Sequence, residues 1–195
     1  VIGADLETTG SLRESYLYDI PGSMLFRPDT SIYDFTQTSF DGQLMLKEHF
    51  RCVPDIIAFS NKLSYDGKIR ALRPASSAPE PHLVELVTPR LAHDDARRSN
   101  RAEASWITAI VAAMATHPAY AGRSIGVISL LYEEQVRVLH TLLLRHVPAD
   151  AWSAHDLDVG SPSQFQGDER DVMLLSMVSK PLEGPQRMLS ERMFK

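Results

Sequence analysis

One polar loop carries three carboxylates and a central glycine, and it runs directly into an apolar segment. The loop is SPSQFQGDERD, residues 161–171, and the apolar segment is VMLLSMV, residues 172–178. Gly167 allows the backbone to approach a ligand closely, and the Glu169 carboxylate suits a ribose hydroxyl. Polar loops of this kind, beside parallel strands, bind nucleotides and phosphates in α/β proteins. The alternative is a solvated turn before a core strand.

The same loop offers groups for two other contacts. Ser161 and Ser163 are small hydroxyl donors of the kind that contact nucleic-acid phosphates. Asp168, Glu169 and Asp171 are carboxylates that could hold a divalent metal in a nuclease. Adjacent carboxylates point apart on a strand, so a nucleotide role for Glu169 without a metal is simpler. The seven histidines show no HxxxH spacing, and we predict no metal site.

A second motif, EHFRC at residues 48–52, lies between a predicted strand and a predicted helix. Phe50 offers an aromatic face for stacking, and Arg51 offers a planar fork for phosphate oxygens. These two residue types, next to each other in the chain, suit a nucleotide-binding site. The alternative is that Phe50 packs in the core and Arg51 is an ordinary surface residue.

Further polar residues stand near the starts of two predicted helices. Asn100 and Glu103 have the spacing of a capping box, which is the structural alternative to a binding role. Gln135, one turn into the next helix, would approach a phosphate or a base, or would only be exposed. Two basic clusters could meet phosphates or only balance the acidic residues: Lys68, Arg70 and Arg73, and Arg97, Arg98 and Arg101.

Composition narrows the class of protein. The 195 residues suit one domain, or one domain with an appendage, and the net charge of -5 requires any nucleic-acid site to be a local patch. Cys52 is the single cysteine, which excludes an internal disulfide and a cysteine-based zinc site and fits a reducing, cytoplasmic setting. No apolar run is long enough to span a membrane, so we predict no membrane partner.

Hydrophobic patterning predicts alternating strands and helices, and therefore an α/β fold with a largely parallel sheet. The continuous apolar run at 172–178 indicates a strand buried on both faces. The other predicted strands are 44–46, 83–87, 124–130 and 154–159. The predicted helices are 12–18, 30–40, one beginning at Pro54, one from Asn100 to His117, and 133–147.

Four segments, taken in order, resemble the second motor domain of superfamily 1 helicases of the nonsense-mediated-decay (UPF1-like, superfamily 1B) type. The first resembles the family's motif IV and the last its motif V. They are LMLKEHFRCVPDIIAFSNKLSYDGKIRAL, NRAEASWITAIV, SIGVISLLYEEQVRVL and SPSQFQGDERDVMLLSMV. The match spans roughly residues 40–180. Ser163 departs from the pattern, since many relatives carry Asp there.

The resemblance implies a RecA-like, P-loop NTPase-type domain with three layers. Two such domains pack together in the family, and ATP binds in the cleft between them. Phe50 would stack near the adenine, Arg51 would reach the γ-phosphate as the catalytic residue, and Gly167 and Glu169 would face the nucleotide. Ser161, Ser163 and Gln135 are the residues expected on the single-stranded DNA or RNA side.

Two motifs that a complete helicase motor needs are missing from this sequence. The sequence contains no G-x-x-x-x-G-K-[ST] phosphate loop, and it has no Asp-Glu pair of the magnesium-holding, water-activating type on a first-domain strand. We therefore expect residues 1–40 to be a lead-in from the first motor domain, 41–180 the second RecA-like domain, and 181–195 a truncated connection toward motif VI. ATP and Mg²⁺ would act only in the full-length parent, with its first RecA-like domain as partner. The alternative is a non-catalytic nucleic-acid-binding module.

Overall fold

The computed structural model describes residues 6–23, 32–40, 44–78, 80–88 and 98–178. The described residues divide into two compact units, one reaching up to Val84 and the other beginning at Glu85. Together they form a mixed α/β structure with parallel strands in two sheets and helices beside them. The predicted fold class is therefore confirmed, and each unit is described by itself below.

The first unit contains two helices, then a small parallel β-α-β arrangement. Its elements are α1 (Leu6–Tyr16), α2 (Ile32–Ser39), β1 (Glu48–His49), α3 (Pro54–Ser64), β2 (Arg70–Ala71) and a 3₁₀ turn at Ala75–Ser77. β1 and β2 are parallel, with Glu48 opposite Arg70 and His49 opposite Ala71. Helix α3 begins at Pro54 as predicted, because proline has the right backbone angle for a first helical position and needs no donor there.

Several predictions for the part of the chain up to residue 87 are wrong. Helix α1 begins at Leu6 rather than near residue 12. The strand predicted at 44–46 lies instead at Glu48–His49, where the chain pairs with β2, and the apolar residues Leu44 and Leu46 are exposed. The predicted strand at 83–87 is irregular, and the described residues supply no neighbouring strand for it. Its apolar side chains at 83, 84, 86 and 87 are exposed.

The second unit contains a three-stranded parallel sheet, in the order β4-β3-β5, packed against helices. Its elements are α4 (Arg101–Thr116), a 3₁₀ turn at Pro118–Tyr120, β3 (Ile125–Ser129), α5 (Glu133–His146), α6 (Ala149–Ala154), β4 (Asp158–Gly160) and β5 (Val172–Ser176). Val127 of the central strand lies opposite Val159 on one side and Leu174 on the other. Predicted residues 154–157 are not strand, because α6 occupies the chain as far as Ala154 and a turn follows, in which Asp156 has φ of +42°.

One face of this sheet forms the hydrophobic core with α4 and α5. Ile125 and Val127 are fully buried, and Val172 and Leu174 pack against the same cluster. Met173 and Leu175, the alternate residues of β5, are exposed. The prediction that β5 is buried on both faces is therefore wrong, because the described helices cover only one face of a strand whose side chains alternate.

None of the helices in the described ranges is both long enough and apolar enough to cross a bilayer.

Candidate functional site

The loop between β4 and β5 begins with a compact turn that brings its two serines together. The Phe165 amide donates to the Ser161 carbonyl at 3.3 Å, and the buried Phe165 ring anchors the turn. Gln164 Oε1 accepts from the Ser161 amide at 2.8 Å, and the Ser161 and Ser163 hydroxyls lie 2.9 Å apart. A Cβ at Gly160 would lie 2.7 Å from Gln164 Oε1, so any larger residue there would displace the Gln164 side chain from this turn.

The second half of the loop carries the predicted nucleotide residues. Gly167 has φ of +87°, in the left-handed region that favours glycine, and a Cβ built there would have no neighbour within 4 Å. Glu169 is exposed, and its amide donates to Asp168 Oδ1 at 2.9 Å. The loop therefore places an open backbone position and an exposed carboxylate close together, with two hydroxyls at its other end.

The end of the loop is fixed to the sheet by Asp171 and Ser124. Asp171 Oδ2 accepts from both the amide and the hydroxyl of Ser124 at 3.0 Å, and the Asp171 amide donates to the Ser124 hydroxyl at 2.9 Å. The Val172 amide then donates to the Ser124 carbonyl at 3.0 Å. These bonds join the first residue of β5 to the residue preceding β3, so the loop leaves a firmly held strand.

Two carboxylates of the loop, Asp168 and Asp171, have different partners. Asp168 pairs with Arg170, and Asp171 pairs with Ser124. Within the described part of the chain, no three histidine, cysteine, aspartate or glutamate side chains come together as a metal site. The geometry of Asp168 and Asp171 supports a structural part for both and gives the nuclease interpretation no support.

The residue that organises this loop is Arg170, which the sequence analysis did not single out. Its side chain is only 8% exposed and reaches Asp168, Asp156 and the Glu169 carbonyl. The signal available in the sequence was an arginine that lies between carboxylates and near an aromatic residue. By sequence alone, such an arginine cannot be distinguished from an ordinary surface charge.

In the first unit, the Phe50-Arg51 motif lies on a turn held by two other side chains. The Cys52 amide donates to His49 Nε2 at 3.0 Å, which requires the tautomer with its proton on Nδ1. Arg73 Nη1 donates to the Arg51 carbonyl at 2.7 Å. Phe50 is 68% exposed, so the alternative that its ring packs in the core is wrong. The turn leaves the aromatic face accessible.

The role of Arg73 differs from the phosphate contact or charge balance considered for its basic cluster. Its Nε donates to the Ser77 hydroxyl at 3.0 Å, while its Nη1 supports the Arg51 backbone. It therefore holds the Phe50-Arg51 turn against the 3₁₀ turn that follows β2. Arg70, in the same cluster, is exposed and lies 3.8 Å from Glu48.

Asn100, Glu103 and Gln135 meet at the end of β5. Asn100 is the N-cap of α4 as predicted, because its Oδ1 accepts from the Glu103 amide at 3.0 Å. The second half of a capping box is not formed, since the Glu103 carboxylate accepts from the amides of Met177 and Val178, at 2.8 and 2.9 Å. These contacts attach the chain after β5 to the start of α4.

Gln135 is fully buried at the centre of these contacts. Its amide bonds to both backbone groups of Asn100 and donates to the Ser176 hydroxyl at 3.0 Å. The alternative of a merely exposed glutamine is therefore wrong. Contact of Gln135 with nucleic acid stays a prediction.

The structure thus places Ser161, Ser163, Gly167 and Glu169 on one loop of the second unit, and Gln135 inside that unit. Phe50 and Arg51 share one turn of the first unit. Each unit combines a parallel sheet with polar residues on its connecting loops, which is the pattern of α/β proteins that bind nucleotides.

The comparison with protein families agrees with this class. The sequence matches the AAA_12 family, described as an AAA domain, over residues 29–191. Because the match covers most of the chain, the chain belongs to this family, the domain found in UPF1-like superfamily 1 helicases. It is a helicase-like ATPase domain with a RecA-like fold, and the resemblance noted in the sequence is confirmed. No curated protein matches the sequence.

Proposed function

We propose that the chain is the second RecA-like motor domain of an ATP-dependent DNA or RNA helicase or translocase. It would supply half of an ATP site and part of the track for single-stranded nucleic acid. The observation that carries the proposal is the loop between β4 and β5. It holds paired hydroxyls at Ser161 and Ser163 and, a few residues later, an open Gly167 and an exposed Glu169.

For the nucleotide, Phe50 stacks on the adenine and Arg51 reaches the γ-phosphate. The exposed ring of Phe50 and the well-held turn beneath it support this assignment. Gly167 and Glu169 serve the ribose or phosphate side. An arginine on the γ-phosphate stabilises transition-state charge and contributes about 10³–10⁵ in rate in nucleotide hydrolases.

For the nucleic acid, the Ser161 and Ser163 hydroxyls donate to backbone phosphates. Hydroxyl contacts of this type position a strand without reading its sequence. Gln135 acts on this side indirectly, since its amide is bonded within the protein and stabilises the start of α4.

The complementary half of the ATP site comes from the first RecA-like domain of the same polypeptide. That domain carries the phosphate loop, which this sequence lacks, together with the groups that hold Mg²⁺. Residues 41–180 form the second motor domain, with 1–40 and 181–195 as connections. The parent protein acts in the cytoplasm, and the chain alone does not hydrolyse ATP. The missing phosphate loop equally favours a non-catalytic nucleic-acid-binding module.

The test is ATP turnover by this chain, with and without a single-stranded oligonucleotide, beside the same chain extended in its natural sequence. We expect no turnover from the chain and stimulated turnover from an extended protein that carries a phosphate loop. Turnover by the chain alone would contradict the division into two half-sites. If the extended protein binds strands without turnover, the binding module is correct. Metal-dependent cleavage of the oligonucleotide would remove Glu169 from the nucleotide assignment.

A further inference from the structure

Arg170 is a buried cation inside a loop whose other charged side chains are more exposed. Its side chain is 8% exposed, whereas that of Asp168 is 43% exposed. Burial of a guanidinium group is costly unless its donors are paired. The partners of Arg170 therefore indicate which parts of the loop this residue holds in place.

The partners of Arg170 surround its guanidinium group. Nη1 lies 2.7 Å from Asp168 Oδ1 and donates to the Glu169 carbonyl at 2.9 Å. Nε donates to the Asp156 carbonyl at 3.0 Å, and Nη2 lies 3.4 Å from Asp156 Oδ2. The guanidinium carbon is 5.7 Å from the centre of the Phe165 ring. A planar fork can satisfy these directions together, and the compact ammonium group of lysine cannot.

The stem of Arg170 is also fixed. A Cβ at Gly126 would lie 3.0 Å from Arg170 Cγ and 2.7 Å from Met173 Sδ. The methylene groups therefore pass closely over the central strand β3. The side chain joins that strand, the turn at Asp156 and the loop.

The consequence concerns Glu169. Its carbonyl accepts from Arg170, and its amide donates to Asp168, which is itself paired with Arg170. Both backbone polar groups of Glu169 are thus bonded to one ion pair. The backbone of Glu169 is held by this pair while its carboxylate stays on the surface.

We infer that Arg170 is a positioning residue for nucleotide binding, which acts by fixing the backbone of Glu169 so that the carboxylate meets the ribose or phosphate of ATP. This inference rests on the proposed function of Glu169. It assigns Arg170 no contact with the nucleotide. Its effect must therefore pass through Glu169, and this coupling can be measured.

The experiment is a double-mutant cycle in the ATP-hydrolysing protein that carries this domain, with KM for ATP and kcat as readouts. Arg170→Met keeps the apolar stem and removes the fork. We expect Arg170→Met and Glu169→Gln each to raise KM about tenfold, the effect of losing one well-placed charged hydrogen bond, with kcat changed much less. The double variant should be no worse than Glu169→Gln alone, because coupled residues are not additive.

Two further variants provide controls. Arg123→Met removes another guanidinium of the same unit, one that donates to the Ala119 carbonyl at 3.1 Å, and should leave KM unchanged. Arg170→Lys keeps the charge but not the fork. It should also raise KM, and it takes the place of Arg170→Met as the test if that variant fails to fold.

The outcomes separate the two ideas. If Glu169→Gln leaves KM unchanged, the proposed part of Glu169 fails, and the inference about Arg170 fails with it. If Glu169→Gln raises KM but the effects of the two substitutions multiply in the double variant, Arg170 acts independently of Glu169. The inference is then overturned while the proposed function stands. An Arg170→Lys protein with unchanged KM would also overturn it.

Discussion

The side chain of Gln135 bonds to both backbone polar groups of Asn100. The Asn100 amide donates to Gln135 Oε1 at 2.8 Å, and Gln135 Nε2 donates to the Asn100 carbonyl at 3.2 Å. The same Nε2 donates to the Ser176 hydroxyl at 3.0 Å. One buried amide therefore joins the start of α4, the start of α5 and the end of β5.

The first prediction tests this amide. Gln135→Met has a similar volume but leaves the amide of Asn100 and the hydroxyl of Ser176 without their partner, and an unsatisfied buried polar group costs about 1–3 kcal/mol. We expect the free energy of unfolding to fall by about that amount in urea titrations. Gln166→Met, at an exposed position of the same unit, should change it by less than about 0.5 kcal/mol. Equal unfolding midpoints for the two variants would show that the buried amide contributes nothing.

The second prediction concerns the carboxylate that holds the chain after β5. Val178 has φ of +62°, which is rare for a β-branched residue, and its amide donates to Glu103 Oε2 at 2.9 Å. Glu103→Gln removes the charge that strengthens this bond and the neighbouring one from Met177. We expect hydrogen exchange at these two amides to accelerate about tenfold, as expected for the loss of a charged hydrogen bond.

The control for this measurement is Glu133→Gln. Glu133 is exposed in the first turn of α5, and its substitution should leave both amides protected. A uniform rise in exchange across the second unit in Glu103→Gln would indicate global destabilisation and contradict a local role.

The third prediction concerns Arg51. We expect Arg51→Ala in the full-length parent to lower ATP turnover by about 10³-fold or more, if the side chain stabilises charge on the γ-phosphate. Folding should be unchanged, because the side chain is exposed and the turn is held through the Arg51 carbonyl. The matched control is Arg70→Ala, which removes another exposed arginine of the same unit and should leave ATP turnover unchanged. Wild-type turnover in Arg51→Ala would remove this residue from the site.

The fourth prediction is a pH dependence that arises at His82. Its Nδ1 lies 2.7 Å from Asp55 Oδ2, and its Nε2 lies 3.1 Å from the Ala75 carbonyl. Both partners are acceptors, so the doubly protonated imidazolium fits the site. The hydrogen bond to the Asp55 carboxylate raises the pKa of His82 above its ordinary 6.5, the Ala75 carbonyl adds to this, and the charge of Glu80 acts in the same direction.

The direction in which stability changes with pH follows from the raised pKa of His82. Because the folded state binds the proton more tightly, the stabilisation is complete below about pH 6.5 and is lost as the pH rises through the raised value. Unfolding of the first unit, followed from about pH 5.5 to pH 9, should show this loss, and His82→Gln should abolish it. His146→Gln, at an exposed position of the second unit, should keep the wild-type profile. A profile that is the same in His82→Gln would refute the assignment.

Elements with strong local signals were predictable from sequence. Helix α4 follows Asn100 and ends at His117-Pro118, as its capping and breaking residues indicate. Strand β3 is apolar from Ile125 to Ile128 because it lies in the centre of the described sheet. The segment at 83–87 has the same apolar character, yet it forms no strand, because a strand requires a neighbour that local sequence does not specify.

The sequence by itself determined the family, the α/β class and the loop that carries Ser161 to Glu169, since ordered motifs and apolar periodicity are local properties of the chain. Only the tertiary structure decided what Arg170, Gln135 and Arg73 do. Each is a polar residue whose partners lie on other turns or elements, and burial and hydrogen bonding between such segments arise only when the chain has folded.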